Sequence, residues 1–203
     1  MNFMNKLSMN IKLFNFQGTP IYISIWFLLL FLIIEPILVI GLFISVLVHE
    51  LAHALIAKQK GYRVDKIIIN ILYGGTYYNQ DIHNKDNILI TLAGPIGNFI
   101  LVLLFFILYV LTNNEYMFTI FGLNLILYIF NILPIYPMDG GQVLRSYLKM
   151  RNRETYKKIS GLVSLIMSII ILIISIIYSQ NLIIVLSIYF ILISLHDLKV
   201  FKI

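Results

Sequence analysis

Apolar residues run through this chain in long blocks separated by short polar ones. Six blocks approach the roughly 20 residues that a helix needs to cross a bilayer at about 1.5 Å per residue. They are Ile21–Ile34, Ile37–Ala57, Ile88–Leu111, Tyr116–Tyr136, Ile159–Tyr178 and Leu182–Leu195, the first and last of them short. Glu35-Pro36 divides the first pair and Ser179-Gln180-Asn181 the last, so both pairs are predicted to be helical hairpins. One interval reads differently. Tyr62–Gln80, YRVDKIIINILYGGTYYNQ, is rich in Ile, Val and Tyr around a Gly74-Gly75 pair, which predicts two short strands and a turn. The expected fold is an all-α polytopic membrane protein with six transmembrane helices. A small membrane-associated β-hairpin separates spans two and three, and residues 1–203 form a single domain.

Composition strengthens the membrane reading. The chain is 60% hydrophobic and 12% charged, against about 45–50% and 25% in soluble domains. The formal net charge of +6 would raise nucleic acid as a partner in a soluble protein. Here the positive-inside rule accounts for it, and the bilayer replaces nucleic acid as the expected partner. With the N-terminus in the cytosol, all 15 Lys and Arg fall in the inside segments 1–20, 58–87, 137–158 and 196–203. The outside turns hold Glu35 and Glu115. Both termini are therefore expected to be cytosolic. The absence of cysteine excludes disulfides and thiolate metal ligands.

Within the second span, SVLVHELAHALIAKQK places His49, Glu50 and His53 in an apolar run. Residues four apart share a helix face, so the two imidazoles suit one zinc ion and Glu50 suits the general base for its water. Ionisable groups inside a span are costly unless function requires them, and apart from the two histidines Glu50 is the only acidic or basic side chain between Glu35 and Lys58. Two interfacial histidines with a snorkelling glutamate are the bland alternative. A third ligand is sought among Asp81, His83, Asp86, Asp139, His196 and Asp197. Topology favours Asp139. Spans two and four both run toward the cytosol, and His49 lies roughly 13 Å from that end of its helix. Asp139 follows Pro134 and Pro137 and precedes Gly140-Gly141, as a broken helix lining a polar cavity would require. Asp81 and His83 read as solvated, and His196 and Asp197 as an interfacial anchor.

His49, Glu50, His53 and the run Asn131-x-x-Pro134-x-x-Pro137-x-Asp139-Gly140 together resemble the site-2 protease family of intramembrane zinc metalloproteases. AGPIGNF (Ala93–Phe99) is similar to that family's Gly-Pro-x-x-Asn motif, and YGG (Tyr73–Gly75) to its glycine-containing loop. The resemblance implies a Zn2+-dependent endopeptidase cutting a membrane or membrane-associated protein, with His49, His53 and Asp139 on the metal and Glu50 catalytic. Asn131 and Asn98 would contact the substrate backbone or oxyanion, interhelical hydrogen bonding being the alternative. Gly74 and Gly75 would lie where an extended substrate pairs as an added strand. Six spans are most similar to the stage IV sporulation protein FB branch, which activates a sigma-factor precursor, pro-sigma-K. That implies a bacterial cell membrane, the forespore outer membrane for this branch, and inhibitory membrane proteins as further partners. No CBS or PDZ domain is expected. A catalytically silent adaptor that binds transmembrane helices is the alternative function, and a metal transporter the third.

Overall fold

The computed structural model describes residues 10–70 and 75–198. In chain order these form β1 (Asn10–Phe16), β2 (Thr19–Ser24), α1 (Ile25–Leu28), a 3-10 turn (Leu29–Leu32), α2 (Pro36–Gln59), β3 (Val64–Ile69) and β4 (Gly75–Tyr78). Five helices follow: α3 (Asn84–Thr112), α4 (Glu115–Ile132), α5 (Asp139–Arg151), α6 (Tyr156–Ile177) and α7 (Asn181–Asp197). Four of the helices, α2, α3, α4 and α6, are long and apolar enough to cross a membrane, while α7, at 17 residues, is apolar but shorter. The protein is thus mostly helical, with four candidate spans and one small sheet. The chain divides into two compact units. One holds the chain to Ile82 with Ala93–Tyr128, the other His83–Leu92 with the chain from Ile129.

The expected first span, Ile21–Ile34, is not one helix. It begins as strand β2, turns through α1 and ends in the 3-10 turn before Pro36. A short apolar run cannot be assigned to helix or strand by periodicity. The β-rich sequence Ile21-Tyr22-Ile23 and a neighbouring strand decide for β. The hairpin expected after α2 is present as β3 and β4, which pair antiparallel with Ile68 opposite Gly75. It belongs to a larger, four-stranded sheet ordered β1-β2-β3-β4. β1 and β2 pair antiparallel across a tight turn in which Gln17 and Gly18 have φ 48° and 80°. Two consecutive positive φ values suit the right-handed twist of a hairpin. β2 and β3 pair in parallel, Ile21 opposite Ile67. Ile21, Ile67 and Ile69 are fully buried.

Within the first unit, this sheet lies beside the C-terminal turns of α2. Lys58 Nζ donates to Gln17 O at 2.7 Å, which holds the β1–β2 turn at the end of the helix. Higher up, Thr76 Oγ1 lies 3.0 Å from the Glu50 carbonyl oxygen. The helix stops at Gly61, whose φ is +82°. Gly61 N–H donates to Lys58 O and Tyr62 N–H to Ala57 O, both at 2.9 Å. That pair of bonds satisfies the last carbonyls and turns the chain back into β3.

In the second unit, α6 is arranged inside out relative to a soluble helix. Its buried residues are Ser160, Gly161, Ser164, Ser168 and Ser175. Ile166, Ile169, Ile170, Ile173, Ile174 and Ile177 are exposed. Lipid is as apolar as isoleucine, so membrane helices associate through small and polar residues and leave large aliphatic ones outward. With the four long apolar helices, this describes a multi-pass membrane protein.

Candidate metal centre and catalytic base

His49, Glu50 and His53 are buried, with relative exposures of 8%, 7% and 7%, as a functional cluster inside a span requires. The two imidazoles meet edge to face, and their Nε2 atoms are 3.1 Å apart. Two nitrogens at that separation share either a proton or a cation. Nitrogens bound at about 2.0–2.1 Å to one tetrahedral zinc stand roughly 3.3 Å apart, so the pair fits a zinc site.

The tautomer of His49 follows from its neighbours. Asn98 Nδ2 donates to Ser45 O and to Asn124 Oδ1, both at 3.2 Å. Asn98 Oδ1 therefore faces His49 Nδ1 and accepts its N–H at 2.5 Å. The proton on Nδ1 leaves a lone pair on Nε2, the atom turned toward His53. Asn124 completes the network by donating to Ser45 Oγ and Ile120 O, both at 2.9 Å. Ser45, Asn98 and Asn124 are all fully buried.

α3 approaches the histidines closely because Gly94 has no side chain. A Cβ at Gly94 would be driven into the His53 imidazole and would lie 2.7 Å from His49 Cε1. One turn on, a Cβ at Gly97 would sit 3.3 Å from Ala52 Cβ. Gly94 and Gly97 thus bring α3 onto the motif helix and deliver Asn98 to His49. Beside the pair, the Glu50 carboxylate accepts from Thr76 Oγ1 at 2.9 Å through Oε2. Thr76 stands on β4, at the edge of the sheet.

The other predicted residues are distributed as follows. Asp139, in the second unit, is the first residue of α5 and is buried. The chain reaches it through a tight turn. A Cβ at Gly140 would collide with the carbonyls of Ile132 and Leu133, and one at Gly141 with Ile135 and Tyr136. Asn131 is in the last turn of α4 and partly exposed. Gly75 opens β4, with nothing within 4 Å of where a Cβ would be. Gly74 lies outside the described residues. Asn98, expected at the substrate with interhelical hydrogen bonding as the alternative, has both amide N–H groups and its carbonyl engaged by α2 and α4. Asp197, expected to be an anchor at the interface, pairs with Arg145 in the second unit.

Sequence reasoning missed Ser45, Thr76 and Asn124, and read Gly94 as part of the Gly94-Pro95-x-x-Asn98 motif without its approach to the histidines. Polar or glycine residues at helical spacing in a span, as in Gly94-x-x-Gly97-Asn98, were the available signal.

Residues 22–137 match the family described as Peptidase M50B-like, and residues 112–174 match Peptidase family M50. The chain belongs to the site-2 protease family of M50 peptidases. A zinc metalloprotease of Methanocaldococcus jannaschii is 33% identical over 161 residues, covering 71% of this chain and 47% of that protein. Stage IV sporulation protein FB of Bacillus subtilis is 32% identical over 111 residues, 51% of this chain and 37% of that one. The solved site-2 protease from Methanocaldococcus jannaschii superposes with a TM-score of 0.69 at 27% identity, over 96% of this chain and 97% of that one. The chain thus spans about half or less of the length of these two curated relatives.

Proposed function

We propose that the protein is a zinc-dependent endopeptidase that cuts membrane or membrane-associated proteins near the cytosolic face. The observation that carries this reading is the buried His49–His53 pair, with Nε2 atoms 3.1 Å apart and Glu50 between them in sequence. His49, His53 and Asp139 are the proposed ligands. Zinc, when bound, supplies Lewis acidity that lowers a water pKa to about 7 and polarises the scissile carbonyl. Glu50 takes the proton of the attacking water on its carboxylate and returns it to the amide nitrogen as the C–N bond breaks. Thr76 holds Oε2, which leaves Oε1 for that proton. Asn98 keeps the His49 lone pair on Nε2, the atom that faces His53.

The extended substrate is proposed to add to the outer edge of β4, the end strand of the sheet among the described residues, where Gly75 carries no side chain. Asn131 is its proposed side-chain contact. Both termini are proposed to be cytosolic. The charge distribution supports this, with Lys58 at the end of α2 and Lys149, Arg151, Arg153, Lys157 and Lys158 around the start of α6. The finer substrate proposal is a sporulation sigma-factor precursor such as pro-sigma-K. It rests on the resemblance to the sporulation branch.

The test is co-expression of the wild type or Glu50→Gln with a pro-sigma-K-like reporter and with a generic single-span reporter. Processing by wild type alone, with zinc retained in both proteins, is expected. Equal processing by both would remove Glu50 as base. Cleavage of only the generic reporter would reject the sporulation substrate.

A further inference from the structure

The turn that leads into Asp139 is held from two sides, and one residue links it to the last helix. Tyr136 N–H donates to Ser164 Oγ of α6 at 3.0 Å, and Gln142 Nε2 of α5 donates to Pro137 O at 3.1 Å. Arg145, also on α5, stacks its guanidinium on the Tyr136 ring, 3.3 Å from the centroid. From there the guanidinium reaches two other helices. Nε donates to Ser160 Oγ of α6 at 3.3 Å, and an NH2 group pairs with Asp197, the last residue of α7. The Arg145 and Asp197 side chains are only 15% and 18% exposed. A planar, always-charged group can stack and donate at the same time, which a lysine ammonium cannot. The close approach of Gly161 to Leu198 and Asp197 keeps the end of α7 within reach of this cluster.

We propose that Arg145 is a positioning residue: through its stack on Tyr136 and its pair with Asp197, it fixes the turn that carries Asp139 and couples metal affinity to the docking of α7. The inference rests on the reading of Asp139 as a zinc ligand. It assigns work to Arg145, Tyr136 and Asp197, none of which touches the reacting atoms. A bundle seal would use the same contacts, so the test must separate the two roles. A seal stabilises the protein equally with and without metal. A positioning residue adds to the stabilisation that zinc confers, because a weaker zinc site yields a smaller rise in melting temperature at fixed metal.

The experiment measures zinc dissociation constants by competition with a chelating dye, together with melting temperatures with and without zinc. It uses the full chain in detergent, for wild type, Arg145→Lys, Arg145→Gln, Asp197→Asn and Asp139→Ala. Arg145→Gln is expected to weaken zinc at least ~10-fold, as loss of a partner supporting a ligand does. The zinc-induced rise in melting temperature should shrink with it. Arg145→Lys keeps the charge facing Asp197 but loses the stack. It should fold like wild type and still lose affinity, so it keeps the test intact if Arg145→Gln fails to fold. Wild-type zinc affinity in Arg145→Lys and Asp197→Asn, beside a weakened Asp139→Ala, would overturn the positioning role alone. Unchanged affinity in Asp139→Ala would overturn the ligand assignment and this inference with it.

Discussion

His49 Nδ1 donates to Asn98 Oδ1 across 2.5 Å, and this bond decides which nitrogen of His49 carries the lone pair that a metal would use. The Asn98 amide cannot flip, because its Nδ2 already faces the Ser45 carbonyl at 3.2 Å. Asn98→Ala should therefore weaken zinc by about 10- to 100-fold, the usual effect of losing a ligand's orienting partner. Asn98→Asp retains an acceptor for His49 but puts a carboxylate against the Ser45 carbonyl. It should recover only part of the affinity. Zinc titration of both variants checks the order wild type, then Asp, then Ala. A wild-type constant for Asn98→Ala would return Asn98 to the substrate role expected from sequence.

The close approach at Gly94 makes a second prediction. Gly94→Ala pushes a methyl into the His53 ring, so bound zinc and proteolysis should both be lost while membrane insertion persists. Gly97→Ala, 3.3 Å from Ala52 Cβ, should be milder. Gly122 has open space within 4 Å and serves as the control. Gly122→Ala should be neutral or stabilising by up to about 1 kcal/mol, from helix propensity alone. Metal content per folded protein, measured for the three variants side by side, gives the ranking.

Gly140 answers to backbone rather than to side chains. Its missing Cβ faces the Ile132 and Leu133 carbonyls, which cannot rotate away as a flexible side chain can. Gly140→Ala should cost about 1–3 kcal/mol or more, the range for overpacking. Thermal melting of the zinc-free protein should show this loss. A drop seen only in the zinc-loaded protein would mean that the turn relaxes freely and that Gly140 matters solely through Asp139.

The long apolar helices α2, α3, α4 and α6 and the motif were legible in the sequence because each depends on local pattern, whereas α5, with its polar sequence, was not expected as a helix. The α2 boundaries Pro36–Gln59 follow from a proline at the first helical position and a glycine after the last turn. His49, Glu50 and His53 follow from a period of 3.6 residues. What was not legible depends on partners distant in sequence. Ile21–Ser24 became strand because β3, more than forty residues later, offers it a parallel edge. Asn98 carries the same amide whether it meets a substrate or a histidine, and only the approach of α3 to α2 through Gly94 assigns it to His49. Likewise Asp197 read as an anchor until the fold supplied Arg145.

Thr76 offers the most direct test of how the sheet serves the reaction. Its hydroxyl lies 2.9 Å from Glu50 Oε2 and 3.0 Å from the Glu50 carbonyl, so it can hold the carboxylate against its own helix. Thr76→Val keeps the branched shape and the strand propensity of β4 but removes the donor. A hydrogen bond to a charged group contributes about 1.5–3 kcal/mol. If that bond orients the base in the transition state, the loss slows processing about 10- to 100-fold. Thr76→Ser restores the hydroxyl and should restore most of the rate, despite its lower strand propensity. Zinc affinity should change in neither variant, since the Thr76 hydroxyl bonds to Glu50 rather than to either histidine. Processing rates of a membrane reporter, normalised to bound zinc, separate the outcomes. Full activity in Thr76→Val would show that Glu50 needs no help from β4, and the sheet would then be left with substrate binding as its part in the reaction.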